Sequence, residues 1–197
     1  MSTSMSTSTS TARRAAPLAL ALVLGLGAAA PAHASSTTRP DPADDVFLAS
    51  VGGGIDLAAV RLETRDRSDR PTRIRVTFTL HSPVPRRSLK APGGLRVQFL
   101  KGTQIRREVG ITTHDGVLRG EVCQDPGDDD HGAPGPCRRV RVTRVDATTY
   151  RAVVRLDHIE PGARVLRWTA SSLDISNGYP VSDRITAPDS RPFRWRL

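Results

Sequence analysis

The stretch Thr72-Arg-Ile-Arg-Val-Thr-Phe-Thr-Leu80 alternates apolar and polar residues without a break. Side chains of a β-strand point to opposite faces in turn, so a period of two predicts a strand with one buried face. Ile74, Val76, Phe78 and Leu80 would face a core, and Arg73, Arg75, Thr77 and Thr79 would face out. The pattern returns in Tyr150-Arg-Ala-Val-Val-Arg-Leu156, with Tyr150, Ala152, Val154 and Leu156 inward. It returns again around Val140 and Val142, around Leu95, Val97 and Phe99, and around Leu166, Trp168 and Ala170.

Weaker strand signals cover 46–51, 55–63, 104–112 and 117–123. Turn residues separate them: Pro92-Gly-Gly94, Lys101-Gly-Thr103, His114-Asp-Gly116, Pro161-Gly162 and Asn177-Gly178. Asp-Gly suits a tight two-residue hairpin turn. No window sustains the 3.6-residue period of a helix. Short connections favour antiparallel pairing, because parallel strands need long crossovers. The expected fold is therefore all-β: an antiparallel β-sandwich of about 8–10 short strands with one disulfide.

The N-terminus reads as a targeting segment. Arg13 and Arg14 precede an apolar run over 15–30, and Ala32-His33-Ala34 is a small-x-small cleavage site. That is the pattern of a secretory signal peptide over 1–34, cut after Ala34. The run is short for a membrane span, and no second one follows, so no span is expected in the mature chain. The sequence does not decide between the general and the twin-arginine export route. Residues 35–45 are polar and contain Pro40 and Pro42, so they read as a flexible linker. The span 46–197 reads as one sandwich domain, within the ordinary size of a domain.

Cys123 and Cys137 are the two cysteines. In an oxidising compartment an isolated pair is most simply a disulfide, here closing a loop rich in Asp, Gly and Pro. No C-x-x-C and no zinc-finger histidine spacing accompanies them.

Chemistry-bearing motifs are few. The chain has no G-x-S-x-G, no H-E-x-x-H, no P-loop and no dinucleotide fingerprint. Val51-Gly-Gly-Gly54 lacks the Lys-Ser/Thr that phosphate binding needs, and His81, His114, His131 and His158 have no partner at ligand spacing. A non-catalytic role is expected. Basic residues number 29 against 20 acids, and all but Lys90 and Lys101 are arginine. Such a skew follows from GC-rich coding as readily as from guanidinium chemistry. Yet Arg73, Arg75, Arg139, Arg141, Arg151, Arg155 and Arg167 all fall on outward strand positions. On one sheet they would form a face that attracts and steers polyanions. Phe193 and Trp195, in a final strand, would share a face against the core.

Carboxylates also cluster. Asp41, Asp44 and Asp45 precede the first domain strand, and Asp56 opens the next with the parity of Val60 and Leu62. An inward carboxylate needs a partner or a cation, and Ca²⁺ takes several such oxygens. Turn capping and arginine pairing are the competing roles. Asp128-Asp-Asp130 in the cysteine loop lacks the alternating spacing of a calcium loop and reads as a solvated acidic tip.

The order Asp41-x-x-Asp44-Asp45-Val46, then Asp56-Leu-x-x-Val60-x-Leu62, a polar turn and the strand Ile74-Arg-Val-Thr-Phe78 resembles exported, uncharacterised β-sandwich proteins of high-GC Gram-positive bacteria. More faintly it resembles the start of sandwiches similar to family nine carbohydrate-binding modules. That resemblance implies sugar binding through tryptophans and structural calcium at the Asp41, Asp44, Asp45 and Asp56 positions. The combined expectation is a secreted binding protein of the cell envelope or extracellular space. Its partner would be an anionic cell-wall polymer or a glycan. The alternative is a protein-interaction or inhibitor module that presents the 123–137 loop to an extracellular protein.

Overall fold

The computed structural model describes residues 35–47, 54–65, 71–124, 135–187 and 189–197, all within a compact unit over Ala32–Leu197. The signal-peptide reading and Asp128–Asp130 lie outside the described residues. Among the described residues eleven strands follow in chain order. They are β1 (Ser36–Pro40), β2 (Leu57–Thr64), β3 (Arg73–Leu80), β4 (Gly94–Lys101) and β5 (Gln104–His114). Next come β6 (Val117–Gln124), β7 (Cys137–Arg144), β8 (Thr149–Arg155), β9 (Val165–Asp174), β10 (Val181–Ile185) and β11 (Phe193–Arg196). Every pairing between them is antiparallel. Among the described residues no helix is long and apolar enough to cross a membrane.

The strands form one hydrogen-bonded path, β1-β2-β3-β8-β7-β6-β5-β4-β9-β10, with β11 beside β10 on β9. β7 is where the path turns. Its first half, Cys137 to Val140, pairs with β6, and its second half, Arg141 to Arg144, pairs with β8. A strand that changes partners in this way makes the corner between two layers. The far ends of the path also meet. Trp195 Nε1 donates to Ser35 Oγ at 2.8 Å, the Arg39 guanidinium sits 4.7 Å over the Phe193 ring, and Phe47 N donates to Ser182 O at 2.7 Å. The result is an all-β sandwich that comes close to closing as a barrel.

The core is what the alternation predicts. Ile74, Val76 and Phe78 are fully buried, as are Leu95, Val97, Ala152, Val154, Leu166 and Trp168. Trp195 is 3% exposed, and Phe193 packs on the Trp168 ring at 5.1 Å. The β5–β6 turn uses Asp115 and Gly116, both at positive φ (51° and 73°), as a tight hairpin requires. Cys123 and Cys137 are bonded and lie directly opposite each other across β6 and β7.

Two expectations need correction, and a third falls mostly outside the described residues. Residues 36–40 are not linker but strand β1, held in register by β2 from Ser36–Glu63 to Pro40–Ala59. Of the expected strand over 46–51, residues 48–51 lie outside the described residues, and Phe47 bridges to Ser182. Asp56 does not share the inward parity of Val60 and Leu62, because a register shift between Leu57 and Ala59 inserts one residue. Such a bulge turns the strand by one position, so Leu57 is buried in place of Ala58.

Candidate functional site

Two constellations stand out: an arginine face on the β1-β2-β3-β8-β7 layer, and a carboxyl cluster where β10 meets the chain before β2. The face follows from register. Across β2, β3, β8 and β7 one row reads Glu63, Arg75, Val153, Arg141, and the next reads Arg61, Thr77, Arg151, Thr143. Arg73 and Arg155 sit opposite each other in a third. Strands lie about 4.8 Å apart and alternate residues about 7 Å apart, so the patch measures roughly 14 Å each way.

Six guanidiniums share this patch with two acids. Glu63 pairs with Arg75 and, at 3.0 Å, with Arg61. Asp157 grips Arg155 with both oxygens, at 2.7 and 3.1 Å. The pairing holds the Asp157 carboxyl below its usual range and raises Arg155. Arg73, Arg141 and Arg151 make no ion pair among the described residues. Like charges set directly opposite on neighbouring strands destabilise a sheet, so the Arg73–Arg155 pair costs the fold something that Asp157 partly offsets.

Two of the seven expected arginines sit elsewhere. Arg139 points out from the other half of β7, opposite Glu121 on β6, and so extends the patch round the corner. Arg167 is on β9 in the other layer, flanked by Leu100 and by Arg194, and does not belong to the face.

The carboxyl cluster differs from expectation in membership. Asp41, Asp45 and Asp183 bring carboxylate oxygens within 4.8 Å of one another. Asp183 was missed. It occupies the central inward position of Val181-Ser-Asp-Arg-Ile185, and that inward acid was the signal that could have found it. Its side chain is 3% exposed and accepts from Leu57 N at 2.7 Å. Asp56 instead caps the turn, accepting from Asp44 N at 3.0 Å, with Asp44 at a positive φ of 65°. Burial, then repulsion from Asp183, Asp45 and Asp56, pushes the Asp41 carboxyl up to about 8. Burial raises Asp183 as well, against the Leu57 N–H that stabilises its anion. Three acids this close must share protons or a cation, and the donor set is all hard oxygen, which suits Ca²⁺.

The tryptophans offer no sugar platform: Trp168 is fully buried and Trp195 nearly so. Comparison with protein-family models, with curated proteins and with solved structures finds no match to this chain.

Proposed function

We propose that this chain is an exported, non-catalytic module that binds an anionic polymer outside the cell through the outer face of β2, β3, β8 and β7. The observation that carries the reading is the set of guanidiniums on that face that make no ion pair among the described residues, Arg73, Arg141 and Arg151, interleaved with Thr77 and Thr143. A folding module gains nothing from like charges gathered on one face, whereas a polyanion releases counterions at each of them. The disulfide and the Ala32-His33-Ala34 site support action in an oxidising compartment. With both tryptophans in the core, the glycan reading narrows to acidic glycans and charged wall polymers.

The test is retention on an immobilised anionic polymer across a salt gradient. Each phosphate-type contact contributes a slope of about −0.7 in log K against log salt. Replacing Arg73, Arg141 and Arg151 together by Ser should remove about 2 from that slope and leave the melting temperature nearly unchanged. Between 50 and 200 mM salt that difference amounts to roughly twentyfold in affinity. Retention that ignores salt, or a triple variant that binds like the native chain, defeats the proposal. Capture of one extracellular protein, lost on replacing the 125–134 loop, would move the reading to the interaction module.

A further inference from the structure

At the end of the body where β5 and β7 begin and β6 ends, a cavity of about 530 Å³ opens beside the turn that follows β8. We infer that this cavity is a binding site for a doubly charged tetrahedral oxyanion, a phosphate or sulfate group. The argument begins with strand parity. Arg107 lies opposite Gln124 and Arg138 lies opposite Val122, one step from the buried Val109–Val122 pair. Arg138 therefore shares the inward side of β7 with Val140 and Val142, and Arg107 shares the inward side of β5 with Val109 and Ile111. At these positions the alternation calls for apolar side chains. Two guanidiniums stand there instead, in the mouth rather than on the outer face.

His158 holds both of them. Arg107 Nε donates to the His158 carbonyl at 3.2 Å, and Arg138 Nη1 lies 3.4 Å from His158 Nε2. The same Nε2 lies 3.8 Å from Asp157 Oδ1. Nδ1 is buried with no partner. Arg107 also gives one N–H to the Arg106 carbonyl at 2.8 Å. Arg107 is thus held at Nε and Nη1 and Arg138 at Nη1, and each keeps further N–H donors unspent. Arg155 also lines the cavity, but Asp157 cancels its charge with two hydrogen bonds. Among the described residues the remaining excess is that of Arg107 and Arg138, two positive charges matched by one dianion. Fixed planar forks suit phosphate and sulfate better than flexible ammonium groups would. Arg155 and its partner Asp157 are the residues common to this cavity and the outer face, and neither supplies the charge of the site, so the site stands whether or not the face binds a polymer.

The experiment is a titration of the full-length secreted protein with inorganic phosphate, then sulfate, at constant ionic strength, followed by arginine Nε and glutamine side-chain NMR signals. Constant ionic strength is needed because sulfate strengthens any fold by exclusion from its surface. The expected result is saturable shifts confined to Arg107, Arg138 and Gln124, with affinity falling tenfold or more in Arg107→Gln and in Arg138→Gln. Arg138→Lys keeps the charge without the fork and should fall between. Arg141→Gln, on the outer face, should bind phosphate as the native chain does. Glycerol phosphate displacing inorganic phosphate from the same signals identifies a site open to esters at a polymer end; inorganic phosphate alone identifies a free-ion site. Shifts that never saturate, or an Arg141→Gln loss equal to that of Arg138→Gln, would reduce the effect to general charge and overturn the assignment.

Discussion

Replacing Asp41 by Asn should change how stability depends on pH. The Asp41 carboxyl titrates at about 8 in the folded chain against an ordinary value of 3.8. An acid whose folded pKa is raised binds its proton more tightly when folded. Its contribution is therefore fully present below about pH 4 and is lost as pH rises through about 8. Four units at ~1.4 kcal/mol each set a ceiling of about 6 kcal/mol. Asp41 is only half-buried, so water screens much of the repulsion, and about 2–3 kcal/mol should survive. Asn keeps the size and can still hydrogen-bond Asp183, but carries no charge at any pH. The assay is urea denaturation followed by the fluorescence of Trp168 and Trp195, both buried, at steps from about pH 4 to about pH 9. Variant minus native stability should climb by about 2–3 kcal/mol over that range. Subtracting the curves removes carboxylates of opposite sign, such as Asp157, whose lowered pKa takes stability away as pH falls. A flat difference refutes the reasoning. Millimolar Ca²⁺ at the alkaline end decides what the cluster holds: if it is a cation site, native protein gains melting temperature and Asp41→Asn does not.

Three further outcomes follow from the fold. Cys123→Ser with Cys137→Ser should lower unfolding free energy by roughly 3 kcal/mol in chemical denaturation, the entropy of opening a loop of this length, and leave the far-UV spectrum unchanged. Gly94→Ala should cost more than about 2 kcal/mol, because φ is 120° there and an added Cβ would sit 2.3 Å from the Ile111 carbonyl oxygen; a native melting curve would contradict that contact. Asp174→Ala should cost about 1–2 kcal/mol, since the buried Asp174 accepts from Gly54 N at 3.3 Å and Ser176 N at 2.8 Å, leaving two part-buried donors without that partner. Burial pushes Asp174 up, but hydrogen bonds from Ser176, Ser88 and Gly54 together hold it below its usual range. Its contribution is thus present above about pH 4 and should fade as pH falls further.

The strands that could be read from the sequence were those whose inner face is purely apolar. Ile74, Val76 and Phe78 announce β3, and Leu95, Val97 and Phe99 announce β4, because burial selects every second residue. β1 and β10 escaped for different reasons. Ser36-Thr-Thr-Arg-Pro40 has no apolar residue to alternate; its order comes from backbone pairing with β2 and from Ser35 meeting Trp195, contacts far away in sequence. Val181-Ser-Asp-Arg-Ile185 alternates, but with an acid in the middle of the buried side. The same acid completes the carboxyl cluster. The four aspartates expected there divided because a single inserted residue at Leu57/Ala59 turned Asp56 away, and no composition rule signals a bulge.

β7 shows why the arginines could be counted but not sorted from sequence. Cys137-Arg-Arg-Val-Arg-Val-Thr-Arg144 reads as one strand, and parity sends Arg139 and Arg141 outward. Parity also sends Arg138 inward, which for a strand within a layer would bury a charge beside Val122. The cost is avoided because Arg138 precedes the corner: the first residues of β7 lie at the open end, where Arg138 stays exposed and meets His158. One strand therefore arms two surfaces, the outer face through Arg141 and the mouth through Arg138. Variants at these two neighbouring outward and inward positions should separate in their effects. Salt-dependent polymer retention should respond to Arg141→Ser, and phosphate-dependent shifts should respond to Arg138→Gln. If both measurements respond to both variants alike, the two surfaces are one field and the corner does not divide them.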